Sequence, residues 1–357
     1  MTTNRKAIDP TSMLTGLRVL DLSHFFPGPF IGMMLQRYGA NVTKVENPDG
    51  GDLIKYVAPL VDNLSIYYRA LNFGKEQQSI DLKTEAGRRA VYALVKQSDI
   101  VIESFRPGVA ARLGIDYDSL REVNPQLIYC ALSAFGQFSE LSSRPCLDLG
   151  VQAEASSLFL SNQGSEKPIV PRLPMADLSA ALMGLNGILM ALHRREANGG
   201  AYIDVSMYTA MLAAMPNIAG HHSDYLTLSE SGVERHGGEA AFYRYYATRD
   251  GRQLVLAGQE PKFVKALLDH IGCAHLTTGY LEGERHANQD VAHALERYFM
   301  SMHSDEACSQ LDDLGVCYGI VRTADEVVER ELDNGTGTLI KDDAGVPILG
   351  HPIKFYV

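Results

Sequence analysis

The stretch GLRVLDLSHFFPGPFIGMMLQRYGANVTKVEN (residues 16–47) decides the fold class. A short apolar run is followed by a turn containing Pro and Gly, then by a helical pattern that Gly39 closes. An alternating, β-branched run ends the stretch. A strand, a helix and a second strand within about 30 residues form a βαβ unit, whose two strands lie parallel in one sheet. We therefore predict an α/β fold.

The same alternation continues along the next part of the chain. The patterns predict strands at 77–84, 99–105, 125–136 and 201–207, and helices at 85–98 and 177–200. This order is typical of a Rossmann-like, doubly wound parallel sheet. In such sheets ligands bind outside the carboxyl ends of the strands.

The character of the sequence changes near residue 221, where a polar, Gly-rich stretch begins. We predict a large domain over 1–220 and a smaller α+β domain over 221–322. Asp250-Gly251 is predicted to form the turn of a hairpin within the smaller domain. The tail, 323–357, is predicted to return to the large domain.

Composition excludes several classes of protein. The net charge of the 357 residues is -11 and no long Lys/Arg run occurs, so we expect no nucleic-acid partner. Five scattered cysteines without a CxxC pair favour a reducing cytoplasm over a disulfide framework. The first residues are polar, and no apolar stretch is expected to reach the roughly 20 residues that cross a membrane. His221, His222 and His236 have no acid or cysteine at ligand spacing, so no metal site is predicted.

Asp177 in RLPMADLSAALMGL (172–185) is the main candidate for chemistry. It stands where a helix begins, so it is predicted either to cap that helix or to act as a catalytic carboxylate there. The two roles do not exclude each other, because a helix N-terminus favours an anion. The small neighbours Ala176, Ser179 and Ala180 leave space for a substrate.

Four other residues have a structural interpretation, and two of them, Arg106 and Lys75, also have a functional one. Arg106 follows a strand and could be a surface charge or an anion clamp. Lys75 could be a loop lysine or a phosphate contact. His24, next to a strand end, could be structural, and Glu260 could cap a helix that begins with Pro261.

Several stretches in this order resemble the family III CoA-transferases, the CaiB/BaiF group that also contains α-methylacyl-CoA racemase. The stretches that carry the resemblance are GLRVLDLSHFFPGPFIGMMLQRYGANVTKVENPDGGD (16–52), NFGKEQQSIDLK (72–83), VIESFRPGVAARLGIDYDSLREVNPQLIYCALSAFGQ (101–137) and PMADLSAALMGLNGILMAL (174–192). Together they cover much of the chain.

The resemblance implies a Rossmann-like large domain, a small domain and an interlocked homodimer, with acyl-CoA and a carboxylic acid as substrates and no permanently bound cofactor. Asp177 would attack the thioester and later carry CoA as an aspartyl-CoA thioester. We expect its carboxylate to be ionised at neutral pH and to need no external base. The predicted contacts of CoA are Arg106, Lys75, Phe135 and Gly136.

The sequence also departs from the family pattern at several positions. Leu147 stands where the racemases have a histidine, and leucine cannot carry a proton. Phe26 aligns with a glutamine of formyl-CoA transferase, so an oxalate or formate substrate is not expected. Phe73 replaces an arginine that is expected to contact CoA. The surroundings of Glu260 are more similar to the racemase branch. His24, Phe26, Leu147 and Glu260 are predicted to line the substrate pocket.

Three hypotheses follow. The favoured one is a CoA-transferase with Asp177 as nucleophile. The first alternative is a racemase or epimerase of 2-methylacyl-CoA, with Asp177 as one base and a second base such as Glu260 or His24. The second alternative is a CoA-binding partner subunit without catalysis.

Overall fold

The computed structural model describes residues 5–162, 169–216 and 238–357. His221, His222 and His236 lie outside the described residues. The chain divides into two compact units, one comprising Met1–Pro216 with Val328–Val357 and the other comprising Asn217–Val327. The predicted domain boundaries were 220/221 and 322/323.

The first unit contains most of the regular structure. Its strands, up to residue 216, are β1 (Ala7–Ile8), β2 (Arg18–Asp21), β3 (Asn41–Glu46), β4 (Leu60–Val61), β5 (Leu64–Ser65), β6 (Glu76–Ser79), β7 (Ile100–Glu103), β8 (Ile128–Ser133) and β9 (Ala201–Ser206). Its helices there are α1 (Pro27–Arg37), α2 (Ile66–Asn72), α3 (Glu85–Val95), α4 (Val109–Leu113), α5 (Tyr117–Val123), α6 (Asp148–Glu154), α7 (Ser157–Ser161), α8 (Met175–Asn198) and α9 (Met207–Ala214).

A six-stranded parallel sheet of order β6-β3-β2-β7-β8-β9 forms the centre of this unit. The α/β fold with a parallel sheet is thereby confirmed. Along the sequence, β3 and then β6 are added on one side of β2. The later strands β7, β8 and β9 are added on its other side. The topological switch point therefore lies between β2 and β7, where α/β sheets form a crevice for ligands.

Both faces of the sheet are covered, which is why consecutive residues in the middle of its central strands are apolar. In β7, Ile100 and Ile102 belong to the core on one face, and Val101 belongs to the core on the other. Helix α8 packs on the first of these faces. At Gly184 of α8 an added Cβ would lie 2.6 Å from Ile31 Cδ1, so only glycine allows this close approach. The tight packing sets the position of the N-terminus of α8.

Helix α8 is also the one helix in the described ranges that is long and apolar enough, by composition, to cross a membrane. The expectation that no apolar stretch reaches this length is therefore wrong for α8. The apolar residues of α8 lie on two surfaces of the helix, one buried in the core and one exposed in the single chain. Ala180 and Ile188 are buried in the core. Met183 and Met190 are 42% and 69% exposed in the single chain.

The second unit is built around a small antiparallel sheet. Its elements are β10 (Tyr243–Ala247), β11 (Gln253–Ala257), β12 (Tyr318–Ile320), α10 (Pro261–His270), α11 (Thr277–Leu281), α12 (Arg285–Met300) and α13 (Ser304–Leu314). The hairpin predicted at Asp250-Gly251 is confirmed, because β10 pairs with β11 across this turn. Gly251 has φ +78, which glycine adopts without strain.

The tail contains α14 (Ala324–Asp333), β13 (Leu339–Lys341), β14 (Pro347–Leu349) and β15 (Phe355–Tyr356). β15 pairs with β1 near the start of the chain. Arg37 Nε of α1 donates to the Leu349 carbonyl at 2.9 Å, and Ile353 N donates to Tyr38 Oη at 2.7 Å. The last residues therefore pack within the first unit.

Candidate active site

A cavity of about 910 Å³ opens at the switch point of the sheet. Loops that follow β2, β7 and β8, the segment before α6 and the first turn of α8 line it. The lining residues with polar or charged side chains are His24, Ser104, Arg106, Ser133, Ser142, Arg144, Cys146, Asp148 and Asp177. The cavity thus lies where the doubly wound topology places a ligand.

Asp177 is the third residue of α8, and its half-buried carboxyl group faces this cavity. It is not the cap of the helix. The residue at the cap position is Pro174, and the side chain that accepts hydrogen bonds from the helix N-terminus belongs to Asp148. Asp148 Oδ1 accepts from Ala176 N at 2.9 Å and from Asp177 N at 3.1 Å. The interpretation of Asp177 as a cap is therefore wrong.

The ionisation of Asp177 also differs from the expectation. Burial disfavours its charged form and the nearby charge of Asp148 repels it, and together they raise the pKa of Asp177 to about 7. Near pH 7 the protonated and ionised forms therefore have similar populations. The expectation of full ionisation at neutral pH is wrong for the free protein, because sequence position does not report the neighbouring acid.

The loop after β2 is held by a buried network of charges. Phe25 N donates to both Asp52 oxygens, at 3.1 and 3.2 Å, and the backbone of Phe25 has φ 63. Lys44 Nζ lies 3.4 Å from Asp52 Oδ2 and also donates to the Ser23 carbonyl. A left-handed conformation is unfavourable for phenylalanine, so these contacts hold the loop against backbone strain.

Lys75 belongs to this network and does not line the cavity. Its ammonium group is fully buried and donates to Asp21 Oδ2 at 2.9 Å, to the Pro29 carbonyl at 2.9 Å and to Asn72 Oδ1 at 3.0 Å. These three acceptors use all three donors of an ammonium group. The ammonium group of Lys75 therefore has no free donor for a CoA phosphate.

Two other predicted residues do lie at the cavity. Burial and the charge of Lys44 lower the pKa of His24, so its imidazole is neutral at pH 7. The ring of His24 packs against Phe105 with 5.9 Å between centroids. Arg106 is exposed at the cavity, and within the described residues its guanidinium group has no ion-pair partner. Arg106 is thus the cationic side chain with the most freedom to meet an anion.

Arg144 is a cavity residue that the sequence analysis missed. Its guanidinium pairs with Glu154 of α6 at 2.7 Å, and its Cζ lies 5.7 Å from the centroid of the Phe135 ring. The only sequence signal was its place three residues before Leu147, in the segment that leads into α6. Leu147 itself lines the cavity and is 72% exposed.

The remaining predicted site residues lie elsewhere. Phe26 is not among the lining residues, and its ring stacks on Phe30 at 5.6 Å. Phe135 and Gly136 line a second cavity of about 520 Å³ beside β9. Glu260 belongs to the second unit, where it directly precedes α10.

In the part of the chain that the structure describes, no group of three or more metal-ligating side chains is present.

Comparisons with known proteins show which family the chain belongs to. A family model described as CoA-transferase family III matches residues 14–356. The chain is 33% identical over 351 residues to an acetyl-CoA:oxalate CoA-transferase of Acetobacter aceti, which covers 97% of this chain and 90% of the relative. It is 32% identical to a succinate–glutarate CoA-transferase of Agrobacterium fabrum, covering 79% of this chain and 72% of the relative.

The fold agrees with this assignment. A solved CaiB/BaiF family protein from Brucella suis has a TM-score of 0.80 and 29% identity, covering 96% of this chain and 92% of that one. The chain belongs to CoA-transferase family III. It is therefore an enzyme of the CoA-transferase class, and the hypothesis of a subunit without catalysis loses its support.

Proposed function

We propose that the protein moves CoA from an acyl-CoA thioester to a carboxylic acid through a covalent intermediate on Asp177. The observation that carries the proposal is the position of Asp177, a carboxylate of raised pKa at a cavity that two arginine side chains also line. A carboxylate of raised basicity is a better nucleophile, and cationic side chains suit anionic substrates.

The proposed reaction has four steps. A carboxylate oxygen of Asp177 attacks the thioester carbonyl, the C–S bond breaks, and CoA leaves as the thiolate from a mixed anhydride. The thiolate attacks the Asp177 carbonyl carbon, which releases the donor acid and forms an aspartyl-CoA thioester. The carboxylate of the acceptor acid attacks this thioester and again releases the thiolate. The thiolate then attacks the acceptor carbonyl, giving the new acyl-CoA and free Asp177.

Trapping of the intermediate tests this proposal. The protein is incubated with succinyl-, acetyl- and 2-methylacyl-CoA and quenched with hydroxylamine, and the peptide containing Asp177 is weighed. A hydroxamate on Asp177 is expected with the donor thioester. We expect Asp177→Ala to lose this label and at least about 10³-fold in turnover, whereas the surface variant Asp118→Asn keeps both. An Asp177→Ala protein with full turnover would contradict the proposal.

The racemase alternative has one structural observation in its favour. A neutral imidazole, that of His24, lines the same cavity as Asp177 and could accept a proton. The trapping experiment run in D₂O separates the two functions. Deuterium at C2 of the 2-methylacyl-CoA, without a label on Asp177, would indicate the racemase.

We further propose that the acceptor is a dicarboxylic acid whose second carboxylate binds Arg144. Relatives named for oxalate, glutarate and mesaconate transfer support this class. Glu154 and the Phe135 ring hold the guanidinium group of Arg144 at the cavity. Arg106 is then left for the phosphates of CoA. The expectation against oxalate stays a prediction, although Phe26 lies off the cavity wall.

Arg144→Gln tests this assignment. A charge-assisted hydrogen bond contributes about 1.5–3 kcal/mol, so KM for a dicarboxylic acceptor should rise roughly 10- to 100-fold. KM for a monocarboxylic acid of equal length should stay within about twofold. Arg89→Gln, which removes an exposed arginine of α3, is the matched control. An equal rise in KM for both acids would contradict a contact with the second carboxylate.

We also propose that the protein is a homodimer, as the family resemblance implies. Helix α8 presents exposed apolar side chains in the single chain, namely Leu182, Met183, Leu189 and Met190. Exposed apolar residues grouped on one helix are typical of an interface. Light scattering of the purified protein tests the mass. The cytoplasmic location stays a prediction from the sequence.

A further inference from the structure

Two carboxylates meet at the N-terminus of α8. Asp148 and Asp177 both line the cavity, and the backbone N–H of Asp177 donates to Asp148 Oδ1 at 3.1 Å. The N–H of Ala176 donates to the same oxygen at 2.9 Å. These two free N–H groups of α8 thus bind the carboxylate of Asp148, which belongs to α6. They do not bind the carboxylate of Asp177, which belongs to α8 itself.

This arrangement changes what a helix N-terminus does to Asp177. Free N–H groups and the helix dipole normally stabilise a carboxylate in the first turn, which lowers its pKa and its basicity. Here Asp148 accepts two of those N–H groups and adds its own negative charge nearby. Both effects act in the same direction, since each makes the ionised form of Asp177 less stable and more basic.

Asp148 is held firmly in this place. Its second oxygen, Oδ2, accepts from Gln152 Nε2 at 2.7 Å, one turn further along α6. Gln152 is 1% exposed, and its Oε1 accepts from Ser157 Oγ at 3.4 Å. With both oxygens of Asp148 bound, its carboxylate cannot turn away from Asp177 without breaking these hydrogen bonds.

We propose that Asp148 is a positioning residue that fixes the N-terminus of α8 and keeps Asp177 basic enough to attack the thioester. The proposal rests on the proposed function of Asp177 as nucleophile. Other titratable or charged side chains line the cavity or belong to elements packed against α8. They are His24, Arg106, Arg144 and Cys146 at the cavity, Glu154 of α6, Arg37 of α1, Cys130 of β8, Asp204 of β9 and Tyr208 of α9. Arg37 is bound to the Leu349 carbonyl, and Glu154 is paired with Arg144.

The variant Asp148→Asn tests the charge and the cap separately. The amide oxygen can still accept from Ala176 N and Asp177 N, whereas the negative charge is gone. With wild type we expect kcat/KM to fall roughly tenfold between pH 8 and pH 6, because only ionised Asp177 attacks. In Asp148→Asn the fall should shrink to about twofold, and the rate at pH 8 should be several-fold lower, since a less basic carboxylate is a weaker nucleophile.

Any ionisation of the substrate affects both proteins equally. The difference between their pH profiles therefore reports the effect of the Asp148 charge alone. Thr84→Ala is the matched control, because it removes the cap of α3 and should leave the pH profile unchanged. A purely structural role for Asp148 predicts an Asn variant that is slower at every pH with an unmoved midpoint. That result would overturn the proposal.

A thermal double-mutant cycle gives a readout that needs no turnover. At pH 8, Asp177→Asn should raise Tm more in the wild-type background than in the Asp148→Asn background, because the repulsion exists only in the former. Equal increases in Tm would overturn the coupling. If instead Asp177→Ala keeps full turnover while the cycle shows coupling, the proposed function fails and the interaction between the two carboxylates stands.

Discussion

Asp21 and Asp177 are two carboxylates of the first unit with opposite electrostatic surroundings. Asp21 ends β2, is fully buried, and lies 2.9 Å from Lys75 Nζ and 3.9 Å from Lys44 Nζ. These two ammonium groups hold the pKa of Asp21 well below its usual range although burial opposes them. Burial and the charge of another acid, Asp148, act together on Asp177 and raise its pKa to about 7.

The difference teaches that burial alone does not decide the ionisation of a carboxyl group, because the sign of the neighbouring charge can reverse its effect. Asp21 and its two lysines are used for structure, since the same network holds the loop that contains Phe25. The charge of Asp177 is left without a cation within the described residues. An uncompensated charge at a cavity is typical of a group used for chemistry.

The largest expected effect on stability comes from breaking the Asp21 network. Lys75→Met leaves Asp21 buried with only the more distant Lys44, and loss of one partner of a buried ion pair costs about 3–5 kcal/mol. We expect the free energy of unfolding, measured with denaturant, to fall by about this amount. The exposed substitution Lys83→Met is the control. A loss below about 1 kcal/mol would mean that Asp21 does not depend on Lys75.

The opposite sign is expected at Asp177. Its pKa is raised in the folded protein from 3.8 to about 7, so the folded state holds its proton more tightly than the unfolded state. The stability from the neutral carboxyl is fully present below pH 3.8 and is lost as the pH rises through 7. Asp177→Asn removes this loss, so Tm should rise by about 2–4 °C at pH 8, which corresponds to about 1 kcal/mol.

The same variant should leave Tm nearly unchanged at pH 4, where the carboxyl group is protonated in the folded state and its ionisation costs nothing. Scanning calorimetry of wild type and Asp177→Asn at both pH values measures the difference. If Asp177→Asn lowers Tm at pH 8, the carboxylate of Asp177 is stabilised like that of Asp21, and the contrast between the two acids disappears.

Much of the fold and part of the site could be predicted from the sequence. The stretch 16–47 shows the βαβ unit by periodicity, and an order of such units defines a parallel sheet with its ligand site at the carboxyl ends of the strands. His24 and Arg106 follow two of these strands, so the chain order alone places them at one edge. Asp177 was found through the small residues and the family resemblance of the helix that carries it.

Three features of the site could not be predicted, because each depends on contacts between distant parts of the chain. Asp148 caps a helix whose first donor lies 28 residues later in the sequence. Lys75 turns inward to Asp21, 54 residues earlier. Phe25 lines the cavity in place of the predicted Phe26, because the backbone at Phe25 is left-handed and the ring of Phe26 stacks on Phe30.

The sequence by itself determined the parallel α/β architecture, the family and the identity of Asp177 as the candidate nucleophile, because periodicity and short motifs are local properties. Only the tertiary structure decided the ionisation of Asp177 and the contacts of Asp148, Lys75 and Arg144. The physical reason is that a pKa and a hydrogen-bond partner depend on which charges and donors lie within a few ångströms. Folding brings those groups together from separate loops.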